Sequence, residues 1–216
     1  MNIRGLSMII VTAHSKGGVG KTTTALNLAA LLKPDLIIDQ DLHKGLSILN
    51  AQREQPYDVV ADHDSKELIR ILREASELNK LVLIDCGGFD SDINRKAIAA
   101  SDLVIVPAND GPTEVIGLTQ FDKTLAQICD EFDVSVNAKV LLTRINPNRK
   151  HFDDIESFVE RSKLMSKLAS KLPTRKEYSI AMYEALSVVE HPATKYSVAS
   201  REVSALASEI RELLDI

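Results

Sequence analysis

The sequence is poor in cysteine, aromatic residues and long apolar runs. It contains two cysteines, Cys86 and Cys129, and no tryptophan in 216 residues, and aromatic residues make up 4% of the chain. Two cysteines this far apart provide neither a disulfide framework nor the spacing of a metal site. No apolar run approaches the roughly 18 residues of a membrane-spanning helix, and the first seven residues lack the apolar core of an export signal. The chain is therefore expected to be cytoplasmic, with reduced thiols and no membrane partner.

Neither the charge nor the overall composition is extreme. The formal net charge is −5, and contents of 44% hydrophobic and 26% charged residues are typical of a globular protein. An acidic chain is no nucleic-acid binder as a whole, so any DNA contact has to come from a local basic patch. No Pro/Gly/Ser-rich linker and no internal repeat divides the sequence. We therefore expect residues 1–216 to form a single domain.

A glycine-rich turn at residues 15–20 lies between two apolar segments. The run 8–13 predicts a buried strand, and apolar residues at helical spacing predict a helix that opens at Lys21. Strand, glycine turn and helix in this order are typical of a phosphate-binding loop, because glycines let backbone N–H groups point at an anion and the helix N-terminus adds positive potential. In such a loop Lys21 reaches the β- and γ-phosphates and the Thr22 hydroxyl ligates Mg²⁺. The general motif begins with a glycine where this chain has Ser15.

Short apolar strands alternate with helical patterns along the rest of the chain. This alternation predicts an α/β fold of the P-loop NTPase type, a mostly parallel twisted sheet with helices on both faces. Ligands of such sheets bind beyond the carboxyl ends of the strands. Further strands are predicted at 36–38, 57–61, 81–84, 103–107 and 136–143, and helices at 65–78, 92–100, 113–129, 151–171, 178–188 and from 194 onward.

Three aspartates follow predicted strands. Asp39 and Asp41 form a D-x-D pair after the strand at 36–38, and Asp85 follows the strand at 81–84. Residues i and i+2 of an extended segment point to the same side, so both carboxylates of the pair can face a bound nucleotide. Phosphoryl transfer needs a carboxylate near Mg²⁺, commonly acting through water. The strand ends therefore predict a nucleotide–magnesium site.

The pattern K-G-G-V-G-K-T-T at residues 16–23 resembles the deviant Walker A loop of the ParA/MinD family of ATPases. With D-x-D at 39–41 and Asp85, the resemblance extends over nearly the whole chain. It implies ATP and Mg²⁺ as cofactors and a weak ATPase that a partner stimulates. The loop residues that would contact nucleotide are Ser15, Lys16, Gly17, Gly18, Val19, Gly20, Lys21, Thr22 and Thr23.

The same resemblance implies roles for individual side chains. Asp41 would position the attacking water, and Asp39 would support a Mg²⁺ site formed with Thr22 and Asp85, partly through water. In the family the lysine equivalent to Lys16 crosses a two-fold interface to the ATP of the partner subunit, so an ATP-dependent homodimer is expected. The catalytic set is then Lys16, Lys21 and Asp41. The alternative is that Lys16 contacts phosphate only on its own subunit.

Two further segments are similar to family loops near the base. T-R-I-N at 143–146 is similar to the segment beside adenine and ribose, which makes Arg144 and Asn146 candidate nucleotide contacts. P-T-R at 173–175 also resembles a loop near the base. A strand-end turn rich in Asn and Pro explains residues 143–149 equally well.

One segment is basic although the chain is acidic. Residues 139–176 contain ten Lys and Arg residues against four acidic ones. On the predicted helix 151–171, Lys163, Lys167 and Lys171 fall at i, i+4 and i+8 and form one stripe. We interpret the stripe as a candidate surface for non-specific DNA binding through phosphates. The alternative is a solvated helix face.

The resemblance implies a short plasmid-type ParA partition ATPase. Such a protein associates with nucleoid DNA in the cytoplasm and is stimulated by a ParB-type centromere-binding adaptor; with almost no sequence ahead of residue 8, no separate helix-turn-helix domain is expected. Three alternatives remain: a positioning ATPase for another cargo, a MinD-like regulator of cell division, and a metabolic P-loop ligase. The MinD-like alternative is disfavoured because residues 201–215 carry a net charge of −2 where a membrane-binding helix would be basic.

Overall fold

The computed structural model describes residues 7–61 and 64–216. The export-signal expectation for the first seven residues falls almost entirely outside this range. The described residues form a sheet of seven strands in the order β3-β2-β4-β1-β5-β6-β7, and every neighbouring pair is parallel. The strands are β1 Met8–Thr12, β2 Leu36–Gln40, β3 Val59–Val60, β4 Leu81–Cys86, β5 Leu103–Ala108, β6 Ala138–Thr143 and β7 Met165–Leu172.

Helices cover both faces of the sheet because the strands are apolar on both sides. Along β1, Ile9 and Val11 pack into one core and Ile10 into the other. The helices are α1 Lys21–Leu32, α2 Gly45–Asn50, α3 Ser65–Glu77, α4 Asp92–Ala100, α5 Glu114–Phe132, α6 Asp153–Arg161, α7 Lys176–Tyr183 and α8 Val198–Leu214. The first core lies under α3, α4, α5 and α6, and the second under α1, α2, α7 and α8. The predicted fold class is thus confirmed.

The predicted helix over 151–171 is wrong in its second half. Helix α6 ends at Arg161, and residues 165–172 form the edge strand β7. The pairing of β7 with β6 is irregular, because Lys167 and Lys171 lie opposite Val140 and Leu142, two residues apart. A strand with such an irregularity spaces its buried residues by three and four, as a helix does. The stripe of Lys163, Lys167 and Lys171 therefore does not exist as a helical surface.

Two smaller features also differ from the sequence predictions. Helix α2 was not predicted, because residues 45–50 form less than two turns and show no long apolar period. The strand predicted at 57–61 shortens to Val59–Val60 at the sheet edge. Within the described ranges, none of the helices has both the length and the apolar content that crossing a bilayer requires.

Candidate nucleotide and magnesium site

The glycine-rich turn joins the carboxyl end of β1 to the first residue of α1. Two of its residues, Gly18 and Gly20, have φ values of +75° and +101°, a backbone region that residues with a Cβ adopt only under strain. Gly20 is the N-cap of α1 and offers no side chain to the first-turn N–H groups. These donors and the helix dipole are therefore available to an anion. We call residues 15–22 the phosphate loop.

Side chains from β6 and the turn after it hold the phosphate loop. The Thr143 hydroxyl donates a hydrogen bond of 2.6 Å to the Val19 carbonyl, and the Arg144 guanidinium donates to the Gly18 carbonyl. With these carbonyls held from outside, the loop conformation is fixed. Arg144 thus has a contact that the base-binding prediction did not include. Asn146 accepts a hydrogen bond from the Asn148 N–H at 2.9 Å and closes a local turn.

Lys21 is a buried cation at the start of α1. It is 7% exposed, and its ammonium donates to the Lys16 carbonyl at 3.0 Å. Burial lowers the pKa of Lys21, while the nearby carboxylates of Asp85 and Asp41 oppose that shift. A Cβ placed on Gly88, after β4, would lie 3.5 Å from the Lys21 ammonium. The segment that follows Asp85 is therefore packed directly against the loop.

Register places three polar side chains in one row across the sheet. Asp85 on β4 pairs with Thr12 on β1 and with Asp39 on β2. Asp85 is fully buried and accepts a hydrogen bond of 2.9 Å from the Thr12 hydroxyl, while its second oxygen has no hydrogen-bond partner among the described residues. Burial raises its pKa to about 7, and the nearby Thr22 and Thr12 hydroxyls oppose that shift. The row therefore contains an unsatisfied buried acceptor.

The two members of the D-x-D pair have different environments. Asp39 is 2% exposed, and one of its oxygens accepts from both the N–H and the hydroxyl of Ser47 on α2, at 2.8 and 2.7 Å. Asp41 lies beyond the end of β2, is half-buried and accepts from the His43 N–H at 2.8 Å. Unlike Asp39, Asp41 lines the open space above the phosphate loop. Asp41 is thus the member of the pair whose carboxylate faces the open side of the site.

These donors fit a magnesium ion bound together with phosphates. Mg²⁺ commonly uses one or two carboxylates, retains several waters and takes its other ligands from phosphate oxygens. The unpartnered oxygen of Asp85 and the Thr22 hydroxyl beside it provide that kind of donor set. Both oxygens of Asp39 already accept hydrogen bonds, one from Ser47 and the other from the Asp41 N–H, so Asp39 would support the ion through its waters. A closed site built from three or more His, Cys, Asp or Glu side chains is absent from the ranges that the structure describes.

A cavity of about 730 Å³ opens above the phosphate loop. Of the predicted site residues, Thr23, Asp41, Arg144 and five residues of the phosphate loop line it, the five being Gly17, Gly18, Gly20, Lys21 and Thr22. Ser15, Lys16, Val19, Asp39, Asp85 and Asn146 do not. Its far wall comes from residues 172–182, including Pro173, Thr174 and Arg175 of the P-T-R segment. Sequence reasoning missed Tyr178, Ser179 and Met182, which sit on a short helix with no motif of their own.

Lys16 lies outside this cavity, in a contact that the sequence did not predict. Its ammonium is 2.8 Å from Glu114 Oε2 and 3.1 Å from the Thr113 hydroxyl. Glu114 is the first residue of α5 and is fully buried, while 31% of the Lys16 side chain is exposed. His14 lies on the other side of the same carboxylate, with Nε2 3.3 Å from Oε1. The sequence could not predict this cluster, because Glu114 is 98 residues away from Lys16 and belongs to no motif.

The three lysines of the predicted basic stripe lie in separate environments. Lys163 is exposed in the turn before β7. Lys167 pairs with Glu156 of α6 at 2.6 Å, and the Lys171 ammonium lies 4.8 Å from the centroid of the Phe152 ring. Two of the three cations therefore have intramolecular partners.

Comparisons with known proteins give similar sequences and folds. Over 145 residues the chain is 27% identical to Protein ParA of Rhizobium radiobacter, across 64% of this chain and 65% of that protein. It is 29% identical, also over 145 residues, to Maintenance of carboxysome distribution protein A of Gloeobacter kilaueensis, across 64% of each. Less than two thirds of the length of either relative is therefore matched. A solved structure of a Cyanothece McdA variant in complex with ATP has the same fold, with a TM-score of 0.71 at 16% identity, covering 99% of this chain and 98% of that one.

A family model matches most of the chain. Residues 10–188 match the CobQ/CobB/MinD/ParA nucleotide binding domain. That range includes the phosphate loop, the three strand-end aspartates and both the Thr143 and the Glu114 contacts. The chain belongs to the ParA/MinD family of P-loop NTPases.

Proposed function

We propose that this protein is an ATPase that binds ATP with Mg²⁺, dimerises around the nucleotide and uses the cycle to position a large cargo. One observation carries this proposal: the phosphate loop and two carboxylates, Asp85 and Asp41, lie in one site, and the two carboxylates differ in burial and in their contacts. One is buried with a free oxygen, and the other faces the cavity. This arrangement supplies separate groups for holding a cation and for orienting water.

Each part of the site has a distinct task in this proposal. The loop N–H groups and Lys21 neutralise the phosphates, and Thr22 with Asp85 holds Mg²⁺, which stabilises charge on the transferring phosphoryl group. Asp41 accepts a proton from the attacking water or orients it. The base and ribose occupy the side of the cavity formed by residues 172–182. Cavities of this size are suited to a nucleotide-sized ligand.

The position of Lys16 supports dimerisation around the nucleotide. Its side chain is partly exposed at the rim of the loop and does not line the cavity of its own subunit. An ammonium in that place reaches phosphates only after moving, and a facing second subunit supplies a nucleotide for it. Lys16 would then act across the interface as an arginine finger does.

Molecular mass in solution tests this step. Sedimentation with and without a non-hydrolysable ATP analogue should convert a monomer to a dimer, and Lys16→Ala should weaken the dimer by at least about tenfold because one phosphate contact per site is lost. Lys123→Ala, an exposed lysine on α5, is the matched control. A dimer that forms without nucleotide, or a Lys16→Ala protein that dimerises normally, would contradict the proposal.

The cargo we propose first is DNA, as in plasmid partition with a ParB-type adaptor. Support comes from the similarity to Protein ParA of Rhizobium radiobacter and from the basic balance of residues 139–176. The second candidate is a positioning ATPase for another cargo, favoured by the similarity to a protein named for carboxysome distribution. A MinD-like role has weaker support, because residues 201–215 remain acidic. For a metabolic ligase, no observation within the described ranges points to a pocket for a second substrate.

DNA binding can be tested on Lys163 and Lys171, for which no ion pair is found within the described part of the chain; Lys171 lies against the Phe152 ring. The double variant Lys163→Glu and Lys171→Glu should lower the slope of log affinity against log salt by about two and weaken binding more than tenfold at physiological salt. Lys167 is left in place because a glutamate there would face Glu156. Lys66→Glu with Arg73→Glu, on the exposed face of α3, changes the net charge equally and serves as the control. Equal DNA affinity of both double variants would remove this surface from the DNA-binding model.

A further inference from the structure

Glu114 is a buried carboxylate whose partners come from the start of the phosphate loop. The Lys16 ammonium lies 2.8 Å from its Oε2, and His14 Nε2 lies 3.3 Å from its Oε1. None of the Glu114 side chain is exposed, and among the described residues Lys16 is the cation that pairs with it. Separating a buried carboxylate from its cation is costly, so Glu114 favours the conformation in which Lys16 lies against α5.

His14 orients both members of this ion pair. Its Nδ1 accepts the Lys16 backbone N–H at 2.8 Å, which leaves the ring proton on Nε2, the atom that faces Glu114 Oε1. Burial, followed by the positive charges of Lys21 and Lys16, lowers the pKa of His14 to about 3, so the ring is neutral and has that single N–H. The imidazole therefore connects the Lys16 backbone to the carboxylate that holds the Lys16 side chain.

Helix α5 has room for these two side chains. A Cβ on Gly117 would lie 3.1 Å from the His14 ring and 3.9 Å from Cδ of Lys16, so with any larger residue the ring would have to shift. The Thr113 hydroxyl, at the start of the helix, accepts a second hydrogen bond from the Lys16 ammonium at 3.1 Å. The position of Lys16 in the monomer is thus defined by contacts along its whole side chain.

The ammonium cannot occupy this position and a phosphate site at the same time. Lys16 does not line the cavity of its own subunit, so it must leave Glu114 before it contacts a nucleotide. The carboxylate and the phosphates therefore compete for one cation. The free energy needed to break the resting contact reduces the population that is ready to dimerise, and this raises the nucleotide concentration at which a dimer forms.

We propose that Glu114 is a positioning residue that holds Lys16 against α5 in the monomer and thereby sets the nucleotide concentration required for dimerisation. The inference rests on the proposed function for the destination of Lys16, whereas the resting contact does not depend on it. After Lys16 leaves, Glu114 keeps the His14 N–H and its place in the first turn of α5, where the helix dipole favours an anion. The resting contact can therefore form again when the dimer separates.

Sedimentation with the non-hydrolysable ATP analogue tests the effect on dimerisation. Glu114→Gln keeps the size of the side chain without its charge, so half-dimerisation should require at least about fivefold less analogue than in the unmodified chain. Asp130→Asn, the same change at an exposed site of α5, is the matched control and should leave the requirement unchanged. In a Lys16→Met background, Glu114→Gln should change the requirement by less than about twofold, because the group that Glu114 holds is absent.

The direction of the change separates this role from a structural one. A substitution that only damages the fold makes the dimer harder to form, whereas release of Lys16 makes it easier. An equal or higher analogue requirement in Glu114→Gln would overturn the inference. So would a decrease that persists in the Lys16→Met background, because Glu114 would then act through another group.

Trace acetylation followed by peptide mass spectrometry tests the resting contact in the unmodified monomer, without nucleotide. The paired Lys16 amine should react at least about fivefold more slowly than the amine of Lys123, which is exposed on α5. Glu114→Gln should remove most of this protection. Equal reactivity of the two lysines in the unmodified chain would overturn the inference even if the variant does not fold. Protection of Lys16 in a chain that never dimerises with the analogue would confirm the resting contact and refute the proposed function.

Discussion

An Asp41→Ala protein is expected to bind nucleotide normally, to accumulate as the nucleotide-bound dimer and to lose at least about 99% of its ATP hydrolysis. Positioned acid–base groups contribute about 10²–10⁴-fold to such steps. The Asp41 side chain faces the cavity and accepts a hydrogen bond from the His43 N–H, outside the contacts that hold the phosphate loop, so its removal should leave the loop and Asp85 in place. Binding should be retained because the groups that neutralise the phosphates are elsewhere.

Phosphate release and sedimentation with ATP together measure this result. Asp130→Ala, an exposed aspartate on α5, controls for the loss of a negative charge. Unchanged turnover in Asp41→Ala would show that Asp41 takes no part in ATP hydrolysis. Loss of nucleotide binding would mean that Asp41 stabilises the site through Lys21, whose ammonium it helps to keep charged.

An Asp85→Asn protein is expected to lose magnesium-dependent hydrolysis by more than about a hundredfold and yet to be more stable than the unmodified chain when neither metal nor nucleotide is present. The unfolded pKa of this carboxyl is near 3.8, and burial raises it to about 7 in the folded chain. Because the folded state binds the proton more tightly, the stabilising contribution is complete below about pH 4 and is lost as the pH rises through about 7. Above pH 7 the folded protein therefore contains a costly buried carboxylate.

Calorimetry at two pH values measures the stability effect. At pH 8 the substitution should raise the free energy of unfolding by about 1–3 kcal/mol, at about 1.4 kcal/mol per pKa unit with allowance for relaxation. That gain corresponds to a melting temperature higher by several degrees in a chain of this size. At pH 5 the difference should shrink, since Asp85 is then already protonated in the unmodified protein. An Asp85→Asn protein that is less stable at pH 8 would show that the Asp85 carboxylate stabilises the Lys21 ammonium by more than its own burial costs.

Much of the fold was predictable because its strands are short, apolar on both faces and separated by helices with a clear period. The bounds of α4 agree with the predicted 92–100, and the predicted strands at 36–38, 81–84 and 103–107 lie within β2, β4 and β5. Periodicity works here because the central strands of a parallel sheet that is covered on both sides are nearly continuous apolar runs, with polar residues mostly at their ends. For the same reason the strand-end aspartates could be recognised before any distance was known.

The errors come from places where long-range pairing overrides the local pattern. Met165 packs into one core while Leu168 and Leu172 pack into the other, and the irregular pairing of β7 makes their spacing look helical. The Glu114 contact could not be predicted because burial of its side chain depends on where α5 begins relative to the phosphate loop. The contact of the Arg144 guanidinium with the Gly18 carbonyl was likewise not predicted, while the role of Arg144 as a candidate nucleotide contact stays a prediction.

The hydrogen bonds that hold the phosphate loop have a thermodynamic consequence. Fixing one residue of backbone costs about 1–2 kcal/mol of conformational entropy. The carbonyls of Lys16, Gly18 and Val19 are already held by Lys21, Arg144 and Thr143. The loop therefore loses little entropy when a phosphate group enters, because that loss occurred when the chain folded. The free energy of the phosphate contacts is then available as affinity rather than being consumed in ordering the loop.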